Sequence, residues 1–326
     1  MTYIYIYISG LKSYILGLIT QKRADGFAYI SEEQLFRQLD NFCMEYFPDA
    51  RTITYDFAAR WSSARPFEGN GYHNRRISAL RQLSLYILSL GKDAYVPDCF
   101  FWKEYKPALY IPSKDEVAAL FQEMDAQEYW SHSIVRRLEK ECRIMFLLYF
   151  CCGLRLSEAR FLRRCDVDLE RGILTVLSSK GDKSRLVYLP ADGTVTLMEY
   201  MKEQKSVYPL CEWMFPGWNP EKPISSSGVE QCFKRYWSKL PISKSLDRHP
   251  TPHCLRHAFV VERLNNWMLQ GIDTNEMLPY LSRYLGHKGP EETYYYYHLA
   301  DKAFDVIRKK DSLSRRIIPE VVPYED

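Results

Sequence analysis

The strongest constraint on the fold comes from NRRISALRQLSLYILSLGK, residues 74–92. Its apolar residues recur at intervals of three or four: Ile77, Leu80, Leu83, Ile87 and Leu90. Residues at these intervals share one face of an α-helix, so the segment predicts an amphipathic helix that buries this face. Gly91 is a typical helix stop, because glycine readily adopts the left-handed conformation that ends many helices. We therefore expect residues up to about 100 to be helical.

The composition changes in YKPALYIPSKDEVAALF, residues 105–121. Pro107 and Pro112 punctuate an extended stretch, and Ser113 with Glu116 three residues later has the pattern of a helix capping box. A chain of 326 residues with 46% hydrophobic composition has enough apolar surface for roughly two domains. The predicted organisation is a first domain over residues 1–104, a linker over 105–112 and a second domain over 113–326.

The second part of the chain combines helical patterns with one hairpin pattern. GILTVLSS, residues 172–179, and RLVYLP, residues 185–190, favour strands, and KGDKS between them favours a turn. Apolar helical segments precede and follow this hairpin, in IMFLLYFCC and CLRHAFVVERLNNWML. We predict a mainly α fold, with a helical N-terminal domain and an α-rich second domain that contains a small β-hairpin or sheet.

Cysteine usage indicates an intracellular protein. The nine cysteines are scattered without a CxxC pair, and no secretory signal precedes them, so we expect reduced thiols and a cytoplasmic location. The apolar N-terminus MTYIYIYISGLKSYILGLIT is interrupted by Lys12 and weakened by Gly10 and Gly17. A helix that spans a membrane needs about 20 predominantly apolar residues, so we expect no membrane association.

Positive charge is clustered in the first domain. The formal net charge of +3 is too small to indicate a nucleic-acid partner by itself, so the clustering matters more. Arg75, Arg76 and Arg81 lie near the beginning of the helix predicted over residues 74–90. Such a face is either an ordinary solvated surface or a surface that contacts DNA phosphates, and the segment alone does not distinguish the two.

Cationic and imidazole side chains of the second domain occupy positions typical of turns and helix starts: Arg155, Lys180, His253, Arg256 and His287. His253 and Arg256 share one helix face, because they are three residues apart. Guanidinium and ammonium groups stabilise the negative charge that develops on the non-bridging oxygens of a phosphodiester transition state. Each residue taken singly is more often a surface, capping or core residue, so only the combination indicates catalysis.

A zinc site is an alternative explanation for two of the histidines. His253 and His257 are four residues apart and could bind zinc from one helix face. Neither an HExxH motif, nor a cysteine pair, nor an evident third ligand accompanies them. We therefore predict no metal site.

The segment ETYYYYHLA, residues 292–300, contains four consecutive tyrosines, Tyr294 to Tyr297. Four consecutive residues of a helix point around its whole circumference, so they cannot all line one apolar face. The tract is either an aromatic packing segment or a segment that supplies a phenol nucleophile. The tract alone leaves both interpretations open.

Five motifs resemble those of the tyrosine recombinase (phage integrase) family: GLRLSE around Arg155, KGDK at Lys180, HCLRH at residues 253–257, LGH ending at His287 and TYYYYH before Leu299. They supply a counterpart to each member of the family's ordered set Arg, Lys, His-x-x-Arg, His, Tyr. The resemblance implies a site-specific DNA recombinase or integrase that cuts and rejoins strands through a 3′-phosphotyrosyl intermediate. It also implies a helical core-binding domain followed by a catalytic domain, without an extra small domain at the N-terminus.

The resemblance also selects one tyrosine. The family's nucleophile lies nine positions after the LGH histidine in a T-x-x-Y-x-H pattern, and Thr293, Tyr296 and His298 fit that pattern. Tyr296 is therefore the expected nucleophile. The expected catalytic set is Arg155, Lys180, His253, Arg256, His287 and Tyr296.

The family mechanism implies a role for each of these groups. Arg155 and Arg256 would clamp the phosphate oxygens, and Lys180 would protonate the leaving 5′ oxygen. The two histidines would assist with proton transfer and hydrogen bonds, and Glu158 would orient Arg155. Because the phosphotyrosyl link keeps the energy of the broken bond, we expect no ATP, divalent metal or other cofactor.

Double-stranded DNA and further copies of the chain are the partners that the resemblance implies. In the tail KAFDVIRKKDSLSRRIIPEVVPYED, Ala303, Val306 and Ile307 recur at helical spacing. This tail helix either packs on its own domain or is donated to a neighbouring protomer in a tetrameric synapse on DNA, and we favour donation.

Two other functions remain open at this point. A type IB topoisomerase-like enzyme uses a similar catalytic set, although the two-domain layout and the spacing from LGH to the tyrosine favour a recombinase. A relative that binds DNA without catalysis would have lost catalytic side chains, and this sequence retains all of them.

Overall fold

The computed structural model describes residues 5–98, 109–126, 133–177, 184–246, 249–287 and 289–297. The chain divides into two compact units, which hold the described residues up to 98 and those from Leu109 onward. The linker predicted over 105–112 stays a prediction, because residues 105–108 lie outside the described part of the chain.

The first unit packs its described helices around one apolar core: α1 (Lys12–Ala24), α2 (Ile30–Tyr46), α3 (Tyr55–Ser62) and α4 (Asn70–Ser89). Helix α4 confirms the helix predicted from the periodicity, since Ile77, Leu80, Leu83 and Ile87 are at most 7% exposed. The prediction is wrong for Leu90, which follows the last residue of α4 and is 50% exposed.

The second unit is helical with one small sheet. Its helices are α5 (Lys114–Asp125), α6 (Ser133–Cys152), α7 (Leu156–Arg160), α8 (Ala191–Val207), α9 (Ser226–Trp237), α10 (His253–Leu269), α11 (Thr274–Leu285) and α12 (Glu291–Tyr297). The predicted capping box begins α5: the Ser113 hydroxyl accepts a hydrogen bond from the backbone N–H of Glu116 at 3.2 Å. In return, the backbone N–H of Ser113 donates to the Glu116 carboxylate at 2.8 Å.

The sheet contains three antiparallel strands in the order β1 (Val167–Asp168), β2 (Ile173–Val176) and β3 (Arg185–Tyr188). The pair of β2 and β3, in which Val176 lies opposite Arg185, confirms the predicted hairpin, whereas β1 was not predicted. The predicted turn at KGDKS falls largely outside the described residues, which omit 178–183. The mainly α fold with a small sheet is confirmed.

Helices α6 and α10 pack closely, and this contact places the residues that follow α6. Gly153 has a φ of +65°, a conformation that residues with a side chain rarely adopt. A Cβ atom added to Gly153 would lie 2.6 Å from the ring of Phe259 on α10. The glycine therefore satisfies both the turn and the close approach, and it brings the start of α7 beside the first turns of α10.

None of the helices in the described part of the chain is long and apolar enough to cross a membrane. The eight cysteines described there are free thiols.

Candidate active site

Arg155 occupies the turn between α6 and α7 and is the N-cap residue of α7. Its backbone N–H donates to Oε2 of Glu158 at 2.8 Å, and its Nη1 donates to Oε1 of the same carboxylate at 2.9 Å. Its Nη2 donates to the carbonyl oxygen of Gly286 at 2.7 Å. The side chain is still 34% exposed, so a ligand can reach a guanidinium whose orientation is already fixed.

Glu158 is the carboxylate around which the arginines gather. Besides Arg155, it binds Arg185 through two hydrogen bonds of 2.8 Å, and Nη1 of Arg256 lies 3.9 Å from its Oε2. Burial alone would raise the pKa of Glu158, but the hydrogen bonds from Arg185 and Arg155 lower its pKa to about 2. The carboxylate is therefore charged at neutral pH and can orient Arg155, which is the role that the sequence suggests.

Arg185 was missed by the sequence analysis. Besides holding Glu158, its Nε donates to the carbonyl oxygen of Tyr284 at 2.6 Å, so it connects β3 to α11. The sequence did contain an indication of this role. Arg185 and Val187 are two residues apart in β3, so their side chains point to the same face of the sheet, and Val187 is buried. A charged residue at an inward strand position calls for a partner inside the protein.

Arg256, on the first turn of α10, is 1% exposed. It donates to the carbonyl oxygens of Gly153 and Leu285, the latter at 2.9 Å, and to Nε2 of His287 at 3.0 Å. Both carbonyls end or follow helices, where unpaired oxygens attract a cation. Burial and the charge of Arg155 lower the pKa of Arg256 to about 10, so it remains protonated at neutral pH.

His287 directly follows Gly286, which ends α11 with a φ of +66°. Because Arg256 can only donate, Nε2 of His287 must accept, and the proton on Nδ1 then donates to Oγ1 of Thr293 at 2.7 Å. Burial and the charges of Arg256 and Arg155 lower the pKa of His287 to about 4. The ring is therefore neutral at neutral pH, and its tautomer is fixed by its two partners.

His253 is the first residue of α10. Its ring meets the ring of His257 edge to face, with centroids 4.5 Å apart. Burial of the ring and the charges of Arg256 and Arg155 lower the pKa of His253 to about 4, although the residue as a whole keeps an exposed surface.

Helix α12 distributes the tyrosine tract around its circumference, as the helix geometry requires. Tyr294 and Tyr295 are 44% and 54% exposed, whereas Tyr296 is 6% exposed and Thr293 is fully buried. The hydroxyl of Tyr296 lies 2.6 Å from Nδ1 of His257. Burial raises the pKa of Tyr296, against the opposing effect of Arg256.

The structure thus brings most of the predicted set together. Arg155, Glu158, Arg256 and His287 are joined by direct contacts, and the ring contacts of His257 add His253 and Tyr296. The remaining predicted groups lie outside the described residues: Lys180, His298 and the tail from residue 299. The side chain of Tyr297 is also outside the description.

The basic face predicted on α4 divides into an exposed and a buried part. Arg75 is exposed and lines an open groove between α2 and α4 with Tyr72 and Ser78. Arg81 is half-buried, and its Nη1 donates to the carbonyl oxygen of Pro97 at 2.7 Å. Arg75 and Arg81 therefore remain candidates for the predicted contact with DNA phosphates.

Arg76 does not fit the DNA-binding role predicted for it. Its side chain is fully buried, and it binds both carboxylate oxygens of Glu68, at 2.8 and 2.7 Å. It also donates to the carbonyl oxygen of Ser63 at 3.0 Å, and its guanidinium lies 5.0 Å from the ring of Trp61. A phosphate cannot reach this guanidinium, so Arg76 is a structural residue of the first unit.

No group of three or more His, Cys, Asp and Glu side chains within the described residues is placed to hold a metal ion. Of the two histidines that suggested zinc, His257 instead binds the hydroxyl of Tyr296.

Comparisons with known proteins agree with the geometry. The phage integrase family model matches residues 113–303. The tyrosine recombinase XerC of Chlorobaculum parvum is 32% identical over 245 residues, which cover 69% of this chain and 68% of that protein. The tyrosine recombinase XerA of Thermococcus kodakarensis is 28% identical over 257 residues, which cover 77% of this chain and 80% of that protein.

A solved structure shows the same fold. The Tn1549 transposon integrase, in complex with transposon right-end DNA, aligns with 95% of this chain and 99% of that chain at a TM-score of 0.63 and 15% identity. The comparisons favour neither the topoisomerase nor the non-catalytic alternative. The family match covers more than half of the chain, which therefore belongs to the phage integrase family and is a tyrosine-type site-specific recombinase.

Proposed function

We propose that this recombinase cuts and rejoins double-stranded DNA with Tyr296 as its nucleophile. The observation that carries the assignment is the orientation of α12. Tyr296 points toward the cluster of Arg256, His257 and His287, whereas Tyr294 and Tyr295 point to solvent. A nucleophile has to reach the groups that stabilise its transition state, and this is the tyrosine of the described tract that faces them.

The step uses groups of the chain, the DNA and solvent water. The phenol of Tyr296 releases its proton to water, its oxygen bonds to the scissile phosphorus, the bond from phosphorus to the 5′ oxygen breaks, and the leaving oxygen takes a proton that Lys180 supplies. The product is a 3′-phosphotyrosyl link and a 5′ hydroxyl. Attack by a 5′ hydroxyl from another strand reverses the step and exchanges strands, so we propose that neither ATP nor a metal ion takes part.

The two guanidiniums would stabilise the phosphate during this step. Glu158 and the carbonyl of Gly286 fix Arg155, and the carbonyls of Gly153 and Leu285 fix Arg256. Such donors need no reorganisation when charge develops on the phosphate oxygens. His253, at the exposed start of α10, would add a hydrogen bond to the same phosphate, and neutral His287 would help to hold Arg256 in place.

We propose that Arg75 and Arg81 of the first unit contact DNA phosphates, in place of the buried Arg76. We further propose that the enzyme acts in the cytoplasm as a tetrameric synapse linked through its tail. The solved relative described above, a transposon integrase held in complex with transposon DNA, supports the proposal that DNA is the partner.

The proposed function is tested on a nicked suicide substrate, built on a site selected by binding from a random duplex library. The full chain in a chelator should form a covalent protein–DNA adduct. Arg155→Ala should slow adduct formation by about 10² or more, because it removes a preorganised donor. Arg171→Ala is the matched control, since that side chain is 79% exposed, and it should leave the rate unchanged. Absence of an adduct from the unaltered chain would contradict the proposal.

A further inference from the structure

His257 has no role in the proposed chemistry, yet it makes the closest polar contact of the proposed nucleophile. It lies on α10, is 9% exposed, and its Nδ1 is 2.6 Å from the Tyr296 hydroxyl. The two rings are tilted, with centroids 5.4 Å apart. A short hydrogen bond between two nearly buried rings is a specific contact rather than a chance encounter of surface groups.

The direction of this hydrogen bond follows from its surroundings. Within the described residues, the Tyr296 hydroxyl has no other hydrogen-bond partner, so its proton points to Nδ1 of His257, which must accept. Burial and the neighbouring groups His253, Arg256 and His287 lower the pKa of His257 to about 3, so the ring is neutral at neutral pH. The groups near the phenol also include Tyr295 and Glu292 on α12 and Arg155.

His257 cannot act as the general base in this arrangement. Its pKa is about 3, whereas that of a phenol is ordinarily about 10 and is raised further at Tyr296. Proton transfer from the phenol to this imidazole is thus strongly unfavourable. The contact therefore keeps the proton on the phenol and holds the oxygen against the protein.

We propose that His257 is a positioning residue that stores the Tyr296 hydroxyl in the protein, and that this contact must open before the hydroxyl reaches the scissile phosphate. The inference rests on the proposed role of Tyr296.

Two further contacts make α12 the element that such a switch would move. His287 holds Thr293 from the same helix at 2.7 Å, so α12 is tethered to both α10 and the end of α11. The ring of Tyr296 also packs in a small apolar cluster with Phe259 and Val260 of α10. Release of Tyr296 therefore breaks a buried hydrogen bond and an apolar contact. The free energy of these contacts sets the fraction of molecules in which Tyr296 is released, so a mutation that removes one of them should increase that fraction.

The test compares His257→Phe, which keeps a ring but removes the acceptor, with His257→Asn, which restores an acceptor oxygen. In the full chain without DNA, hydrogen exchange of residues 291–297 and mapped nitration of Tyr296 report opening, with exposed Tyr294 and Tyr295 as internal references. A buried phenol without its acceptor favours opening by about 5- to 150-fold, so His257→Phe should raise both readouts within that range. His257→Asn should lie between this variant and the unaltered chain.

The same variants are then measured on the suicide substrate. His257→Phe should form the adduct at least as fast as the unaltered chain, because the Tyr296 hydroxyl no longer has to break its hydrogen bond to His257 before it reaches the phosphate. Unchanged protection of Tyr296 in His257→Phe would overturn the inference, and so would an adduct rate below that of the unaltered chain. If His257→Phe does not fold, Tyr296→Phe removes the donor alone and should likewise speed exchange in α12, whereas unchanged exchange would overturn the inference.

The two readouts separate this inference from the proposed function. An adduct that forms on another tyrosine would contradict the role of Tyr296 as nucleophile, but the exchange and nitration data would still measure its contact with His257.

Discussion

Arg185 holds Glu158 with two hydrogen bonds of 2.8 Å, although the two residues are 27 positions apart in the chain. The planar guanidinium matches the carboxylate through Nη1 and Nη2, an arrangement that lysine cannot reproduce. Because the same carboxylate binds the backbone and side chain of Arg155, the strand β3 fixes the orientation of a proposed phosphate ligand on α7.

Replacing Arg185 should therefore slow catalysis indirectly, through Glu158 and Arg155. We expect Arg185→Lys to slow adduct formation at saturating DNA by about 10-fold or more, because small misplacement of a positioned group is costly in rate. Arg171→Lys is the control, since the Arg171 side chain is 79% exposed and should tolerate the change. Single-turnover rates that do not differ between Arg185→Lys and the unaltered chain would show that Glu158 positions Arg155 without this partner.

Gly153 should be sensitive to the smallest possible side chain. Gly153→Ala meets a positive φ of +65° and a contact of 2.6 Å with Phe259, whereas Gly271→Ala meets a positive φ of +73° and nothing within 4 Å. We expect the control Gly271→Ala to cost about 1–2 kcal/mol of unfolding free energy, for the backbone alone. Gly153→Ala should cost more, as measured by chemical denaturation, and equal losses would mean that the close approach to α10 carries no strain.

Arg75 and Arg76 are neighbours in sequence with opposite expected phenotypes. Arg76→Met should destabilise the first unit by about 3–5 kcal/mol, because it leaves buried Glu68 without its partner. Arg75→Met should leave stability unchanged and weaken DNA binding, with the slope of log affinity against log salt reduced by about 0.9 if one phosphate contact is lost. Thermal unfolding and salt titrations measure the two effects, and the reverse pattern would contradict the assignment.

Acid should destabilise the second unit between about pH 6.5 and pH 4. The pKa values of His257 and His287 are lowered to about 3 and about 4 from the ordinary 6.5, so in this range the unfolded chain binds protons that the folded chain does not. Each such proton lowers the unfolding free energy by about 1.4 kcal/mol per pH unit. Below pH 4.5, Glu158 removes further stability, because it takes up a proton in the unfolded chain but stays charged in the folded chain until about pH 2.

The range from pH 6.5 to pH 5 is the diagnostic one, because ordinary carboxylates change little there. His257→Gln removes one of the histidines whose pKa is lowered in the folded chain and should make the loss of stability shallower. A stability that stays constant from pH 7 to pH 5 would contradict the burial of neutral histidines in the site.

The spacing of apolar residues in the sequence predicts the buried face of α4 but not the partner of the arginine that lies on it. The face of α4 at Leu80, Leu83 and Ile87 is predictable from spacing alone, and Arg76 lies on that same face, four residues before Leu80. The buried position of Arg76 was thus visible in the spacing, but its partner Glu68 lies before α4, where no periodicity points to it.

Motif order predicted which residues form the site but not how they contact one another. The contact of His257 with Tyr296 joins residues 39 positions apart, and it depends on the turn at Gly286 that sets the direction of α12. No local pattern encodes such a contact. The motif selected Tyr296 as the expected nucleophile, and in the structure Tyr296 is buried whereas Tyr294 and Tyr295 are exposed.

The most direct test of the account is to identify the residue that becomes linked to DNA. The trapped adduct is digested and its phosphotyrosyl peptide is sequenced for the unaltered chain and for Tyr294→Phe, Tyr295→Phe, Tyr296→Phe and Tyr297→Phe. Phenylalanine keeps each ring and removes only the hydroxyl, so binding to DNA should survive in all four. We predict a link at Tyr296 in every chain that keeps it and no adduct from Tyr296→Phe. A link at Tyr295 or Tyr297, or an adduct from Tyr296→Phe, would contradict the assignment of the nucleophile.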